Sequence, residues 1–309
     1  MRAGIIDIGS NSIKLLVVES TAEGLLEKRY QTTRETRISG GSKGFSRLSD
    51  SAIAQGTKTI LELLEKAATY DLDRIKIVAT SAVRDADNRE VFQRHLEAAT
   101  GYPLEVLSGE AEAGYIAAGV AVDPALKAYT DFGICDLGGG SLEYIQVKQQ
   151  KPQFKVSLPL GAVRVAEQFL SDKAAPISES SAQIIVEHTR AVLQASGCAL
   201  QRDIPLLVGA GGALSVCRAI RAARMGQKIK AIDPYLSSAY LKALYSEISV
   251  MHMRERANIP ELPPARADIL PTALLVLTTC AEYFQVDGYL HTFYNLRFGM
   301  AVELLGSAG

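Results

Sequence analysis

The sequence predicts an α/β protein built from two related domains, and three observations carry that expectation. The first is Ile134-Cys135-Asp136-Leu137-Gly138-Gly139-Gly140-Ser141-Leu142-Glu143-Tyr144-Ile145, which reads as a buried strand, a tight turn and a returning antiparallel strand. The second is an earlier copy, Ile5-Ile6-Asp7-Ile8-Gly9-Ser10-Asn11-Ser12-Ile13-Lys14-Leu15-Leu16-Val17-Val18. Laid over the later stretch without gaps so that Asp7 falls on Asp136, it also puts Gly4 on Gly133, Gly9 on Gly138, Ser12 on Ser141 and Val18 on Val147. Two copies so far apart imply a duplicated domain with the two turns facing each other. The third is Leu206-Leu207-Val208-Gly209-Ala210-Gly211-Gly212-Ala213, a strand and glycine turn opening an apolar helix. There a phosphate can meet free N–H groups.

The turns point to phosphate chemistry. Three successive glycines, Gly138 to Gly140, let a turn take backbone angles closed to other residues and let a ligand approach the main chain. Consecutive turn N–H groups form a concavity for anions. Asp136, with Asp7 in the equivalent place, offers hard oxygen ligands for Mg²⁺ held against phosphates. A lone glycine-rich hairpin carries no function; three such elements in this order describe a phosphate cleft.

Composition narrows the class. At 309 residues, two domains are the default, and 48% hydrophobic with 22% charged residues suits a soluble globular enzyme. Lys+Arg 33 against Asp+Glu 34 leaves a net charge of −1, so no broad basic field points to duplex nucleic acid. Cys135, Cys198, Cys217 and Cys280 form no CxxC pair and read as core thiols of a reduced, cytoplasmic protein. No uncharged apolar run reaches membrane-spanning length. His95, His188, His252 and His291 have no metal-binding spacing.

The remaining elements follow in order. Leu25 to Thr33 reads as a third, edge-like strand, and Arg37 to Gly44 as a basic loop able to grip an anion. Ser49 caps a helix whose face is Ile53, Thr57, Ile60, Leu64 and Ala67. A strand over 75–79 runs into a loop, Thr80 to Asn88, and Asn88 caps a helix with Phe92, His95, Leu96 and Ala99 inward and Gly101 as its stop. After a strand over 104–107, Ser108-Gly109-Glu110-Ala111-Glu112 opens an alanine-rich helix. Residues two apart point about 200° away from each other on a helix, so only one of Glu110 and Glu112 faces inward. The second half repeats the plan: a strand over 154–158, a helix from Gly161, and a helix with Ile184, Ile185, His188 and Val192 on one face. Then come the glycine turn, a helix through Tyr240 and Leu244, a proline break at Pro260, Pro263 and Pro264, an apolar helix through Leu274 and Leu277, and a strand over 288–293.

On these motifs the chain resembles the exopolyphosphatase/guanosine pentaphosphate phosphohydrolase family, within the actin-like and sugar-kinase-like phosphotransferases. The residues that carry the likeness are Asp7 to Ser12, Thr80 to Asn88, Ser108 to Ala113, Asp136 to Glu143, Ser157 to Arg164, Gly209 to Gly212 and Arg266 to Leu270. It implies two ribonuclease-H-like domains of the actin-like ATPase kind, over 1–122 and 123–294, with 295–309 packing back on the first. It implies Glu112 as catalytic base, Asp136 and Glu143 as acidic residues needed for activity and metal, and Arg84 as a substrate-binding arginine. Mg²⁺ or another hard divalent cation is the implied cofactor, the cytoplasm the implied location, and a homodimer a compatible assembly. Leu142, Ala213, Gly114 and Phe298 stand where relatives usually carry threonine, threonine, arginine and glutamate. The length matches members without further C-terminal helical domains.

The chemistry can be argued from the residues. Cleaving a phosphoanhydride with water requires phosphates held still, their charge neutralised and the water in line. Gly9, Ser10, Asn11 and Ser12 with Gly138, Gly139, Gly140 and Ser141 offer donors, Gly211 and Gly212 a third turn, and Lys14 a cation opposite the place of Glu143. Arg84, Arg37, Lys43, Arg164 and Arg266 are further cations for a polyanion. The favoured expectation is an Mg²⁺-dependent exopolyphosphatase, or else a guanosine pentaphosphate phosphohydrolase. A kinase of the same fold and a non-catalytic alarmone-binding regulator stay open beside it.

Overall fold

The computed structural model describes residues 1–39, 46–198, 204 and 206–306. The glycine-rich part of the basic loop, with Lys43, lies outside the described residues. The chain divides into two compact units, Met1–Leu126 with Tyr294–Gly309, and Lys127–Phe293.

Unit 1 is built on β1 (Arg2–Ile8), β2 (Ser12–Ser20), β3 (Leu26–Glu35), β4 (Arg74–Ala79) and β5 (Leu104–Val106), in the order β3-β2-β1-β4-β5. The first three run antiparallel, and β4 and β5 run parallel to β1. Every residue of β1 from Ala3 to Ile8 is buried, which requires cover on both faces of the sheet. One layer is α1 (Asp50–Ala68) with α3 (Arg89–Thr100); the other is α4 (Gly109–Ala121) with α11 (Leu296–Leu305). β3 is mostly exposed, as an edge strand is.

Unit 2 repeats this order with one strand added. β6 (Phe132–Leu137), β7 (Leu142–Lys148) and β8 (Lys151–Leu158) form the antiparallel part. β9 (Leu207–Gly211) runs parallel to β6, β11 (Gly288–His291) parallel to β9, and β10 (Tyr235–Ser237) closes the edge. Both sheets therefore have the ribonuclease-H-like plan of three antiparallel strands followed by two parallel ones. Five helices pack around the second sheet: α5 (Ala162–Phe169), α6 (Glu179–Ala195), α7 (Gly212–Arg224), α8 (Ser238–Ser249) and α10 (Leu270–Tyr283). The last is buried from Leu270 through Ala281, because it lies among α5, α6, α7 and α8 and its residues are apolar all round.

Several elements differ from the sequence reading. The buried face of α1 uses Leu63 where Leu64 was expected, and α3 buries Phe92 and Leu96 but leaves His95 and Ala99 exposed. In α6 the buried stripe is Ile185, Thr189 and Leu193; Ile184 is exposed. The stretch expected as a loop from Thr80 holds a one-turn helix, α2 (Ser81–Arg84). Asn88 precedes α3 without capping it: its amide bonds both ways to Leu48, at 2.8 Å from the Leu48 N–H and 2.8 Å to its carbonyl. β10 and the short α9 (Met253–Arg256) were not anticipated. Ser49 caps α1 as expected, accepting from Ala52 at 3.1 Å, and Ser108 caps α4, accepting from Ala111 at 3.1 Å.

The crossing of α4 and α11 depends on glycine. A Cβ on Gly119 would overlap the carbonyl of Asn295, and one on Gly299 the carbonyl of Tyr115. Gly299→Ala is therefore expected to cost about 1–3 kcal/mol of stability by overpacking. Urea unfolding checks this: an unchanged midpoint would mean that the two helices separate freely.

Candidate active site

The two hairpin turns have the same internal geometry. Gly9 N–H donates to the Ser12 carbonyl at 3.0 Å, and Gly138 N–H to the Ser141 carbonyl at 2.9 Å. In each, a Cβ on the first glycine would approach that serine carbonyl to 3.3 Å. None of Gly9, Gly138, Gly139 and Gly140 adopts a positive φ, so the expectation that the glycines supply unusual angles fails. Their use is close approach. Gly161, at the start of α5, packs so tightly that a Cβ there would overlap the backbone of Gly139, Gly140 and Ser141.

That packing turns the peptides of the second turn in one direction. Ala162 N–H donates to the Gly138 carbonyl at 3.0 Å, and Val163 N–H to that of Gly139 at 2.8 Å. Arg164 Nε donates to the Gly140 carbonyl at 2.7 Å. In a planar trans peptide the N–H points opposite to the C=O. With three successive carbonyls directed at α5, the N–H groups of Gly139, Gly140 and Ser141 are directed away from it, a row of donors for an anion. In unit 1 the 36–39 segment has the corresponding part: Thr36 and Arg37 N–H groups donate to the Asn11 carbonyl, and Ser39 N–H and Oγ to that of Ser10. The N–H groups of Asn11 and Ser12 are turned outward from that segment in the same way. Ser10 Oγ lies 3.2 Å from Ser81 Oγ, and Asn11 Nδ2 donates to Glu35 Oε2 at 2.6 Å.

The third turn meets the second within unit 2. Gly211 has φ +93° and lies so near Asp136 that a Cβ would come within 2.6 Å of Oδ1. That left-handed conformation is one only glycine adopts without strain. Gly212 opens α7 beneath the Arg266 guanidinium, which any side chain at that position would displace.

The acidic residues fall into two groups. Asp136 and Glu143 are directly opposed across β6 and β7, and so share one face of the sheet. Glu143 is 2% exposed, and Ser157 Oγ donates to its Oε1 at 2.7 Å. Glu112, in the first turn of α4, is 7% exposed, whereas Glu110 faces solvent. Arg84 Nη1 donates to Glu112 Oε2 at 2.6 Å and to the Leu107 carbonyl at 3.3 Å, while Nε lies 3.4 Å from Asp85. Arg84, expected as a loop residue contacting substrate, thus ends a helix and engages the expected base. The structure brings together Asp136, Glu143, Gly138 to Ser141, Gly211 and Gly212 in unit 2. In unit 1 it brings together Arg84 and Glu112, and separately Asp7 and Lys14 beside Gly9 to Ser12.

The donors at Asp136 and Glu143 fit a hard divalent cation: two carboxylates on one face, beside a row of N–H groups suited to phosphate. Among the described residues no three His, Cys, Asp or Glu side chains gather as a metal cluster. A cation there would take its remaining ligands from water and phosphate oxygens, which is how Mg²⁺ is ordinarily held. Asp7 differs, with Lys14 Nζ at 3.8 Å and Arg297 Nε at 3.9 Å.

Sequence reasoning missed Ser157, Glu35 and Arg297 as partners of Glu143, Asn11 and Asp7. Ser157 could have been found from strand register, since it pairs directly with Glu143. Arg297 lies at the far end of the chain and left no local signal. All four cysteines are buried and unpaired, and burial pushes each thiol up, that of Cys217 to about 12. His291 is buried beside Arg218, which together hold its imidazole down to about 3 and therefore neutral. No helix among the described residues is long and apolar enough to cross a membrane.

Comparison with known proteins agrees with this geometry. The Ppx/GppA phosphatase family model matches residues 16–308. A guanosine-5'-triphosphate,3'-diphosphate pyrophosphatase of Vibrio vulnificus (strain YJ016) is 28% identical over 316 residues, covering 97% of this chain. The chain spans only 58% of that curated relative's length. Among solved structures, a PPX-GPPA enzyme of Aquifex aeolicus is similar with a TM-score of 0.80 at 26% identity, over 98% of this chain and 99% of that one. An exopolyphosphatase of Cytophaga hutchinsonii shares the fold with a TM-score of 0.89 at 21% identity, over 100% and 99% of the two chains.

Proposed function

The chain belongs to the Ppx/GppA phosphatase family, and from that premise we propose that it is a phosphoanhydride hydrolase releasing the terminal phosphate of inorganic polyphosphate. The observation that carries the reading is Glu112, a buried carboxylate held at 2.6 Å by Arg84 at the start of α4. A carboxylate fixed in this way can orient a water and take its proton. The water oxygen attacks the terminal phosphorus, its proton passes to Glu112, and the bridging oxygen leaves with the shortened chain. The outward N–H groups of the Gly138–Ser141 turn, and in unit 1 those of Asn11 and Ser12, are donors suited to phosphate oxygens and to the charge that develops on them. Mg²⁺ bound at Asp136 with Glu143 would supply further positive charge at the phosphates.

A second reading, removal of the 5′ phosphate of guanosine pentaphosphate, is favoured by the name of the Vibrio relative. Both readings differ from a kinase, which passes phosphate to an acceptor other than water, and from a regulator, which releases none. Protein and Mg²⁺ incubated separately with polyphosphate, guanosine pentaphosphate and ATP, with released phosphate measured, decide among them. Release from neither of the first two would end the hydrolase reading.

The metal assignment has its own test. Asp136→Asn is expected to raise the Mg²⁺ concentration needed for half-maximal activity about tenfold or more, since an amide oxygen is a poorer ligand than a carboxylate. A superimposable Mg²⁺ titration would remove Asp136 from the metal site.

A further inference from the structure

The largest fully buried side chain among the described residues is an arginine, Arg256, the last residue of α9. A guanidinium keeps its charge, so its burial has to be answered by hydrogen bonds. Nε donates to the Ile248 carbonyl at 2.9 Å, Nη1 to those of Lys173 and Ala267 at 3.4 Å each, and Nη2 to that of Ala175 at 3.0 Å. Burial draws its pKa down from the ordinary value, and the Asp268 charge beside it pushes back. The four carbonyls belong to three stretches of unit 2: the end of α8, the connection from α5 to α6, and the connection from α9 to α10. α9 is tied to the same α5–α6 connection by its backbone, since Met253 N–H donates to the Ala174 carbonyl at 2.8 Å.

The connection from α9 to α10 carries Arg266, whose guanidinium lies over Gly212 at the start of α7. Arg266 ends a single 3₁₀ turn, Pro264–Arg266, and Ala267 follows it directly. A helix N-terminus carries partial positive charge and disfavours a cation. Asp136 flanks the neighbouring Gly211 and offsets part of that repulsion. A long side chain on a short irregular stretch would still swing away from such a place unless its backbone were held. Arg256 supplies the hold, because the carbonyl that it grips at Ala267 is one residue from Arg266.

We propose that Arg256 is a positioning residue for substrate binding, which through Ala267 fixes the Arg266 guanidinium over the start of α7, where a phosphate oxygen meets that guanidinium and the helix N-terminus together. Arg256 is enclosed by protein and acts only through Arg266. A phosphate completes the arrangement, since its negative charge relieves the crowding of positive charge there. The class of ligand rests on the phosphohydrolase reading.

The test is a double-variant cycle read by binding. Tripolyphosphate is titrated by calorimetry into the metal-free full chain, well below the unfolding temperature of each variant. Arg266→Met and Arg256→Met are each expected to weaken binding about tenfold. Arg256→Lys should recover only part of the loss, since one ammonium cannot reproduce the planar fork that reaches four carbonyls. Arg256→Met/Arg266→Met should bind within about twofold of Arg266→Met alone, because the first residue works through the second. Losses that multiply to about 100-fold in the double variant would overturn the proposal by making the two arginines independent. Binding unchanged in folded Arg256→Met, or in Arg266→Met, would overturn it as well. If Arg256→Met does not fold, the cycle of Arg256→Lys with Arg266→Met decides by the same comparison. A cycle that behaves as expected in a protein that releases no phosphate from any substrate would sink the hydrolase reading and leave the role of Arg256 standing.

Discussion

Replacing Glu112 with glutamine is expected to lower kcat about 100-fold or more while polyphosphate binding stays nearly unchanged. The substitution keeps the shape of the side chain and removes its ability to take a proton. Arg84 Nη1, now 2.6 Å from Glu112 Oε2, can donate to the amide oxygen as it does to the carboxylate. The fold around α4 is therefore preserved, and any lost turnover reports chemistry. Glu110→Gln is the comparison variant, because Glu110 lies in the same helical turn but is exposed. Steady-state kinetics with a direct binding measurement distinguishes the outcomes. A larger loss in Glu110→Gln, or near-normal turnover in Glu112→Gln, would show that the wrong carboxylate has been assigned.

Arg84→Ala is expected to act on both stability and turnover. Its guanidinium bonds to Glu112 and to the Leu107 carbonyl, and lies 3.4 Å from Asp85. The side chains of Arg84 and Glu112 are 19% and 9% exposed, so solvent screens the pair only in part. Removing the arginine leaves the Glu112 carboxylate without this donor and should cost on the order of 2 kcal/mol of stability. Turnover should fall about 10- to 100-fold, because the base loses its orientation as well as a nearby cation. The double variant Arg84→Ala/Glu112→Gln separates the two effects. Most of the stability should return, since no buried charge is left behind, and activity should not. A variant with lost stability but unchanged kcat and KM would reduce Arg84 to a structural brace.

The hairpins were legible because everything they need is local: apolar runs of strand length, an aspartate, a glycine-containing turn and a serine, written twice. The choice between Glu110 and Glu112 was also partly legible, since helical spacing forbids both from facing inward. What stayed hidden depends on partners far apart in the chain. Arg84 and Glu112 meet only because β4 and β5 run in parallel and deliver α2 and α4 to the same end of the sheet. The one-turn α2 is too short to show a hydrophobic period. The glycine-rich turn misled in an instructive way. Its composition suggested unusual backbone angles, but the demand for small residues comes from Gly161 and α5 pressing on the turn from another part of the sequence. The face of α6 was misread because neighbouring Ile184 and Ile185 are equally apolar, and only packing selects Ile185.

The last helix also sets an order of assembly during synthesis. Unit 2 is continuous from Lys127 to Phe293 and has all its strands once the ribosome has passed His291. Unit 1 has its five strands by Val106, yet the helix that pairs with α4 and covers β1 and β2 is not made until Leu305. Domains usually fold from the N-terminal end as they emerge. Here one layer of unit 1 stays incomplete, with α4 made and α11 still missing, while the second half is translated. For that interval the apolar residues of β1 and β2 on which α11 packs lack that cover.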